Sequence, residues 1–230
     1  MARTIVDYEL EAWIRSSILS PALNLNSKMT WQERVQYSVG HAINDFFSLD
    51  PYVRMHTPIQ VMLNRRWPRS KESFRSSLHY WEIYNRVVST LTHLASAYLN
   101  ESPMIMYEQL ETNVREFDLD LSVIFHTVWQ QTQGHGFKIQ KFLVEDHPEL
   151  VRAFLHLANV FWNSAYGCPP DEVEIVLLLS GDRYTYTKEM PDLQQSLDYV
   201  YLLYETVELD KMSGHLETKE EHRDSACFVQ

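Results

Sequence analysis

Apolar side chains in the N-terminal part of the chain recur every three or four residues, the spacing that lines one face of an α-helix. Thr30 and Glu33 have the spacing of a capping box, which marks the start of a helix. Asp50-Pro51 marks a break, because the residue before a proline avoids the helical conformation. The pattern predicts helices over residues 1–20, 30–48, 57–64 and 70–100.

The period changes to two near the middle of the chain, as is typical of a β-strand with one buried face. Mainly polar residues alternate there with Phe117, Leu119, Leu121, Val123 and Phe125. The strands are predicted at residues 103–107, 117–128, 137–144, 173–179 and 183–187. Further helices are predicted at residues 149–166 and 191–209, and Gly167 is expected to end the first of them. Residues 211–230 are polar and charged, and we expect them to form a disordered tail.

The order of these elements predicts an α/β protein, more narrowly of the α+β class. We expect a central mixed sheet of about four to five strands, flanked by helices. The prediction places a single domain over residues 1–210. In it residues 1–100 are mostly helical, residues 103–188 form the sheet core, and residues 191–209 form a closing helix.

The composition limits which class of protein and which cellular compartment we expect. The chain has 230 residues, of which 45% are hydrophobic, so a sizeable core is expected. No uncharged apolar run reaches the length of a membrane span, and we expect none. Two cysteines, Cys168 and Cys227, cannot form a four-cysteine iron–sulfur cluster, and they favour a reducing, cytoplasmic compartment. The four residues from Cys227 match a prenylation pattern, with an unmodified terminus as the alternative.

The net charge of −11 disfavours general binding of nucleic acid, because phosphate groups are neutralised by lysine and arginine. One local stretch is nevertheless basic and contains Trp67. It offers a candidate contact for DNA, and the alternative is a solvated connection between two helices. Its basic residues are Arg65, Arg66, Arg69 and Lys71.

Several segments carry a resemblance to a known family. Gly40 lies in a predicted helix, with Asn44 four residues later. A predicted strand begins after Pro103, and the acid Glu108 follows five residues after that proline. A strand, a hairpin, a strand with Lys141 and a helix follow. This arrangement resembles the PD-(D/E)XK nuclease superfamily, in particular its RecB-like exonuclease branch. The resemblance implies a restriction-endonuclease-like core.

Such a nuclease would use two carboxylates to hold Mg²⁺ and a lysine to polarise the attacking water. Glu108 and Lys141 match the acidic and lysine positions of the family. Asn44 stands at the histidine position, and the strand positions expected to carry acids are Phe125 or His126 and Ile139. Because an aliphatic side chain cannot bind Mg²⁺, the resemblance implies a degenerate site.

Asp118 and Asp120 offer a different arrangement of acids. We expect them to share one face of the strand with Ser122 and His126. With a shifted alignment they could pair with Glu108 or Glu111 in a rearranged metal site beside Lys141. The alternative is a solvent-facing polar stripe on a half-buried strand.

Three functions remain open from the sequence. The first is a non-catalytic nuclease-like protein that binds a protein partner and no cofactor, in DNA repair, recombination or defence against mobile elements, as the resemblance implies. The second is an active Mg²⁺-dependent nuclease with catalytic Glu108, Asp120 and Lys141. In that case Glu108, Asp118 and Asp120 would bind the metal. The third is an acidic binding module or nucleic-acid mimic, which the net charge motivates.

Overall fold

The computed structural model of the protein describes residues 3–19, 29–131, 136–187 and 189–224. Its strands are β1 (Arg3–Val6), β2 (Ile105–Val114), β3 (Leu119–Gln130), β4 (Phe137–Leu143), β5 (Glu172–Leu177) and β6 (Arg183–Tyr186). Its helices are α1 (Asp7–Leu19), α2 (Trp31–Phe47), α3 (Pro51–Met55), α4 (Ile59–Arg66), α5 (Ser77–Ala97), α6 (Pro148–Tyr166) and α7 (Leu193–Asp224). Cys227, with the prenylation pattern, lies outside the described residues.

The long strand β3 is the centre of one mixed sheet. β2 pairs antiparallel with one edge of β3. Two strands share the other edge, since β1 runs parallel to its first part and β4 antiparallel to its last part. β5 then pairs parallel with β4, and β6 pairs antiparallel with β5. The predicted α+β class with a mixed sheet is therefore confirmed, with β1 as an additional strand.

Helices cover both faces of this sheet. α1, α6 and α7 pack on one face, where Phe125 of β3 meets Phe161 of α6 at 5.0 Å between ring centroids. α2, α4 and α5 pack on the other face, where Phe47 of α2 meets Trp129 of β3 at 5.1 Å. The buried face predicted for β3 is confirmed, because Leu119, Leu121, Val123 and Phe125 are all buried. On the other face Ser122 is buried as well, and Ile124 is half-buried.

Buried Arg54 joins the ends of three helices in the second layer. Its guanidinium donates hydrogen bonds to the carbonyl oxygens of Phe47, the last residue of α2, at 2.9 Å and of Leu49, just after α2, at 3.1 Å. It also donates to the carbonyls of Leu99 and Glu101, after α5. A guanidinium has five N–H donors, so one side chain can satisfy several free carbonyls at these helix ends.

Local signals located several helix ends correctly. Thr30 and Glu33 form both hydrogen bonds of the capping box, at 3.3 and 2.7 Å. α6 ends at Gly167, whose φ of 77° lies in the left-handed region that glycine adopts without strain. Asp146 lies two residues before α6, where an aspartate often caps a helix. Instead it accepts a hydrogen bond from Tyr184 at 2.8 Å, and α6 has no side-chain cap.

Other boundaries differ from the prediction. The first residues form strand β1 before helix α1 begins, because Arg3 to Val6 pair with β3. α5 begins at Ser77 rather than near residue 70, with Ser76 as its N-cap. α7 continues to Asp224, so it extends past the predicted end at Leu209 and into the segment that was expected to be disordered.

None of the helices in the described ranges combines the length and the apolar character needed to cross a bilayer.

Candidate functional site

The register of β2 and β3 separates two of the predicted catalytic acids. Glu108 lies opposite Phe125, whereas Asp120 lies opposite Asn113. Five residues of strand correspond to about 17 Å at about 3.3 Å per residue. Oxygen ligands must each lie about 2.1 Å from a shared Mg²⁺. In this arrangement the backbone positions of Glu108 and Asp120 are too far apart to hold one metal ion together.

Asp118 and Asp120 do not share a strand face. Asp118 precedes β3 in the turn after β2, where its φ is 49°. Asp120 lies on β3 and accepts a hydrogen bond from the Asn113 amide at 2.9 Å. Ser122, two residues further along, is buried and accepts a hydrogen bond from Gln109 at 2.7 Å. The prediction that Asp118 and Asp120 share one face of the strand is therefore wrong, since only Asp120 belongs to the strand.

Lys141 lies at a gap between the two strands that share one edge of β3. β1 pairs with β3 as far as Ser122, and β4 pairs with it from Thr127 onward. In the described residues the intervening part of β3 has no ladder partner on this edge. Helix α1 begins at this gap, immediately after β1, and Lys141 follows the paired part of β4. The side chains of both elements meet on the face that α6 covers.

Two carboxylates of α1 surround the Lys141 ammonium. Its Nζ lies 3.1 Å from Glu11 Oε2 and 3.7 Å from Asp7 Oδ2. It also lies 5.1 Å from the centre of the Phe154 ring on α6. Glu11 forms a second ion pair with Arg15, at 2.8 Å. Asp7 and Glu11 are four residues apart on one helix, so both reach the same neighbour. We call Asp7, Glu11 and Lys141 the buried ion cluster.

The two acids of the buried ion cluster differ in their electrostatics. Burial raises the pKa of Asp7, and the nearby Lys141 only partly offsets this effect. The Ile124 backbone lies close enough to lower the pKa of Asp7 as well, yet neither carboxylate oxygen has a partner of normal hydrogen-bond geometry in the described structure. Burial also raises the pKa of Glu11, but Lys141 and Arg15 outweigh it and hold this pKa at about 2.

The lysine of this cluster remains charged. Burial lowers the pKa of Lys141, and the carboxylates of Glu11 and Asp7 outweigh the burial and raise it. A cavity of about 10 Å³ lies beside the cluster, with apolar walls that include Leu10, Leu150 and Phe154. This volume is at the lower limit for a single water molecule. A phosphodiester cannot enter a space of that size.

Core side chains occupy the two strand positions at which a nuclease of the resembling family would carry metal-binding acids. Ile139 is fully buried opposite Val128 of β3 and Val173 of β5. Phe125 is fully buried against Phe161. In the described ranges no group of three or more histidine, cysteine, aspartate or glutamate side chains has a metal-binding arrangement.

Gly40 and His126 belong to one packed cluster on the opposite face of the sheet. A Cβ atom at Gly40 would lie 3.0 Å from the Tyr107 ring, so α2 approaches this ring closely and a larger residue would displace it. The Tyr107 ring stacks on His126 at 4.8 Å. His126 Nδ1 accepts the Phe142 backbone N–H at 3.0 Å, and burial lowers the His126 pKa well below its ordinary value. The cluster is therefore neutral and packed.

A second buried polar network lies near the middle of β4. The Gln140 side chain accepts hydrogen bonds from Trp129 at 2.5 Å and Thr127 at 2.9 Å, and it donates to Glu174 at 2.5 Å. Lys138 forms an ion pair with Glu174 at 2.8 Å. Each of these side chains has a partner, as a structural network requires.

The predicted basic stretch lies at the end of α4 and in the following loop. Arg66 Nε is 3.9 Å from Asp45, which partly neutralises it. Trp67 is buried in the core between the sheet and helices α2, α4 and α5, so it cannot stack on a base. The exposed basic residues are Arg65, Arg66, Arg69 and Lys71.

Sequence reasoning found Lys141 but missed its two partners. The available signal was the spacing of Asp7 and Glu11 along one helix, on the same side as Leu10 and Ile14. The chain matches no protein-family model and no curated protein sequence.

Proposed function

We propose that this chain is a non-catalytic protein that keeps a nuclease-like layout and works through contacts with a protein partner. The buried ion cluster is the observation that carries the proposal. A lysine that polarises water must face a substrate, whereas Lys141 is only 5% exposed and is paired with two carboxylates. The small adjoining cavity leaves no place for the scissile phosphate.

The positions of the remaining acids support the same proposal. Glu108 and Asp120 lie about 17 Å apart along the sheet, so neither supplies a second ligand for the other's metal ion. Neither acid appears among the ion-pair partners of Lys141 in the described structure. The groups that a two-carboxylate nuclease would bring together are thus distributed over separate surfaces.

A nuclease assay tests the proposal directly. Purified protein is incubated with Mg²⁺ or Mn²⁺ and labelled single- or double-stranded DNA. A control with Glu108→Gln and Asp120→Asn is prepared in parallel. Both substituted residues are at least partly exposed, so the control should fold. We expect no cutting above the control. Metal-dependent cutting by the natural chain that disappears in the control would contradict the proposal.

A further inference from the structure

An exposed apolar pair lies at the N-terminal end of α5, beside the basic loop. Leu78 is 79% exposed and Trp81 is 49% exposed. They are three positions apart, so they lie on the same side of the helix. The Lys71 ammonium is 5.1 Å from the centre of the Trp81 ring. We call Lys71, Leu78 and Trp81, with Arg69 and Arg75 of the same loop, the basic–aromatic patch.

The tryptophan of this patch is held rigidly. Its ring contacts Tyr80 edge-on at 5.0 Å and Tyr84 at 5.7 Å. Tyr80 donates a hydrogen bond to the Pro68 carbonyl at 2.9 Å, which fixes the loop against α5. Tyr84 donates to Asn64 at 2.6 Å, which fixes α5 against α4. Trp81 therefore loses little side-chain entropy when a partner binds, which favours its use as an anchor.

The charges of the patch are available to a partner. Arg69, Lys71 and Arg75 are exposed, and none of them forms an ion pair with an acid in the described part of the chain. The protein as a whole carries a net charge of −11. A local group of unpaired positive charges on an acidic protein directs an acidic partner to this surface.

We propose that the basic–aromatic patch docks a short acidic segment of a partner protein. Carboxylates of the segment pair with Lys71 and the neighbouring arginines, and an apolar side chain packs on Leu78 and Trp81. This inference rests on the proposed function and names the surface and the chemistry of the partner. The two can be tested independently, because the result of the nuclease assay does not depend on this patch.

The patch fits a peptide better than a nucleic acid. A nucleic-acid strand brings a phosphate at every nucleotide, and the acidic body of the protein repels that continuous charge. Surfaces that bind single strands stack successive bases on several aromatic rings. Here Trp67 is buried, so Trp81 is the main exposed ring of the loop region. The highly exposed Leu78 offers an aliphatic contact that matches an apolar side chain.

Fluorescence anisotropy with a labelled peptide tests the inference. The probe is an amphipathic peptide with leucines along one helical face and glutamates along the other. We expect saturable binding that weakens with added salt. Trp81→Ala should weaken it by at least about 30-fold, the effect of losing an anchor residue. Lys71→Glu should weaken it several-fold. Leu202→Ala, an exposed apolar site on α7, is the matched control and should change nothing.

Each other outcome overturns the inference. One is the absence of saturable binding up to about 1 mM peptide. Another is equal binding of the same peptide with lysines in place of the glutamates. A third is tighter, Trp81-dependent binding of single-stranded DNA, which would assign the patch to nucleic acid. If Trp81→Ala does not fold, Leu78→Asp at the more exposed position carries the same test.

Discussion

Two acids that face the same lysine should respond in opposite ways to removal of their charge. Glu11 Oε2 is 3.1 Å from Lys141 Nζ, and Glu11 also pairs with Arg15 at 2.8 Å. Asp7 Oδ2 is 3.7 Å from the same nitrogen, and both of its oxygens lack hydrogen-bond partners in the described structure. Glu11→Gln should therefore destabilise the fold, whereas Asp7→Asn should leave its stability unchanged or raise it.

The magnitude follows from the pKa of Glu11. Its ordinary value is 4.5 and its value in the fold is about 2. This difference corresponds to about 3 kcal/mol at about 1.4 kcal/mol per pH unit. The side chain is 25% exposed, so solvent screening reduces the expected loss to about 2 kcal/mol. A depressed pKa gives stability that is present above about pH 4.5 and lost as the pH falls toward 2.

The sign for Asp7 is reversed. Its pKa is raised above the ordinary value of 3.8, because burial disfavours the ionised carboxylate. A raised pKa gives stability that is fully present below pH 3.8 and lost as the pH rises through the pKa of the folded state. At neutral pH the ionised Asp7 side chain therefore lowers the free energy of unfolding. Asparagine removes this effect and keeps the shape of the side chain.

Urea denaturation at pH 7 measures these free energies. The control is Glu9→Gln, since Glu9 is an exposed acid of α1 and lies 3.3 Å from Lys211. Its substitution should change the free energy of unfolding by less than about 0.5 kcal/mol. The deficit of Glu11→Gln should fall to about half by pH 3. An equal loss for Asp7→Asn and Glu11→Gln would refute the unequal roles derived for the two acids.

Three further predictions concern the core and one helix end. Gly40→Ala should lower the free energy of unfolding by about 1–3 kcal/mol, because the new methyl group meets the Tyr107 ring at 3.0 Å; thermal denaturation measures this loss. Thr30→Ala should cost about 1 kcal/mol through loss of the capping box, a loss that the Thr30→Ser variant should largely avoid. His126 should remain neutral between pH 5 and pH 8 in an NMR titration, because it is buried with its pKa well below 6.5. A shift of its ring signals in that range would contradict the packed, uncharged cluster.

The parts of the fold that depend on residues close together in the sequence were predictable. The capping box of Thr30, the stop at Gly167 and the buried face of β3 each arise from interactions a few residues apart. Spacing along the chain encodes such interactions directly. The α+β class followed from the order of these elements.

Strand β1 and the buried ion cluster depend on pairing across the whole chain. Four residues, Arg3 to Val6, are too few to show a period, and their partner strand begins at Leu119. Lys141 meets Asp7 and Glu11 only because β1 and β4 share one edge of β3. No local pattern specifies that arrangement. The extension of α7 was missed for another reason, since its polar and charged sequence resembles that of a disordered segment.

The free energy of undocking β1 and α1 determines how often Lys141 would be exposed to solvent. Undocking of α1 and β1 would expose Ile5, Leu10 and Ile14, each at most 3% exposed in the fold. At about 1.5–3 kcal/mol for each buried side chain, the apolar cost alone is about 4.5–9 kcal/mol. That corresponds to fewer than about one open molecule in 1,000. Loss of the ion pair between Glu11 and Lys141 adds to this cost. An active site built on Lys141 would thus be almost entirely closed, and a protein partner that merely used the outer surface would need no such opening.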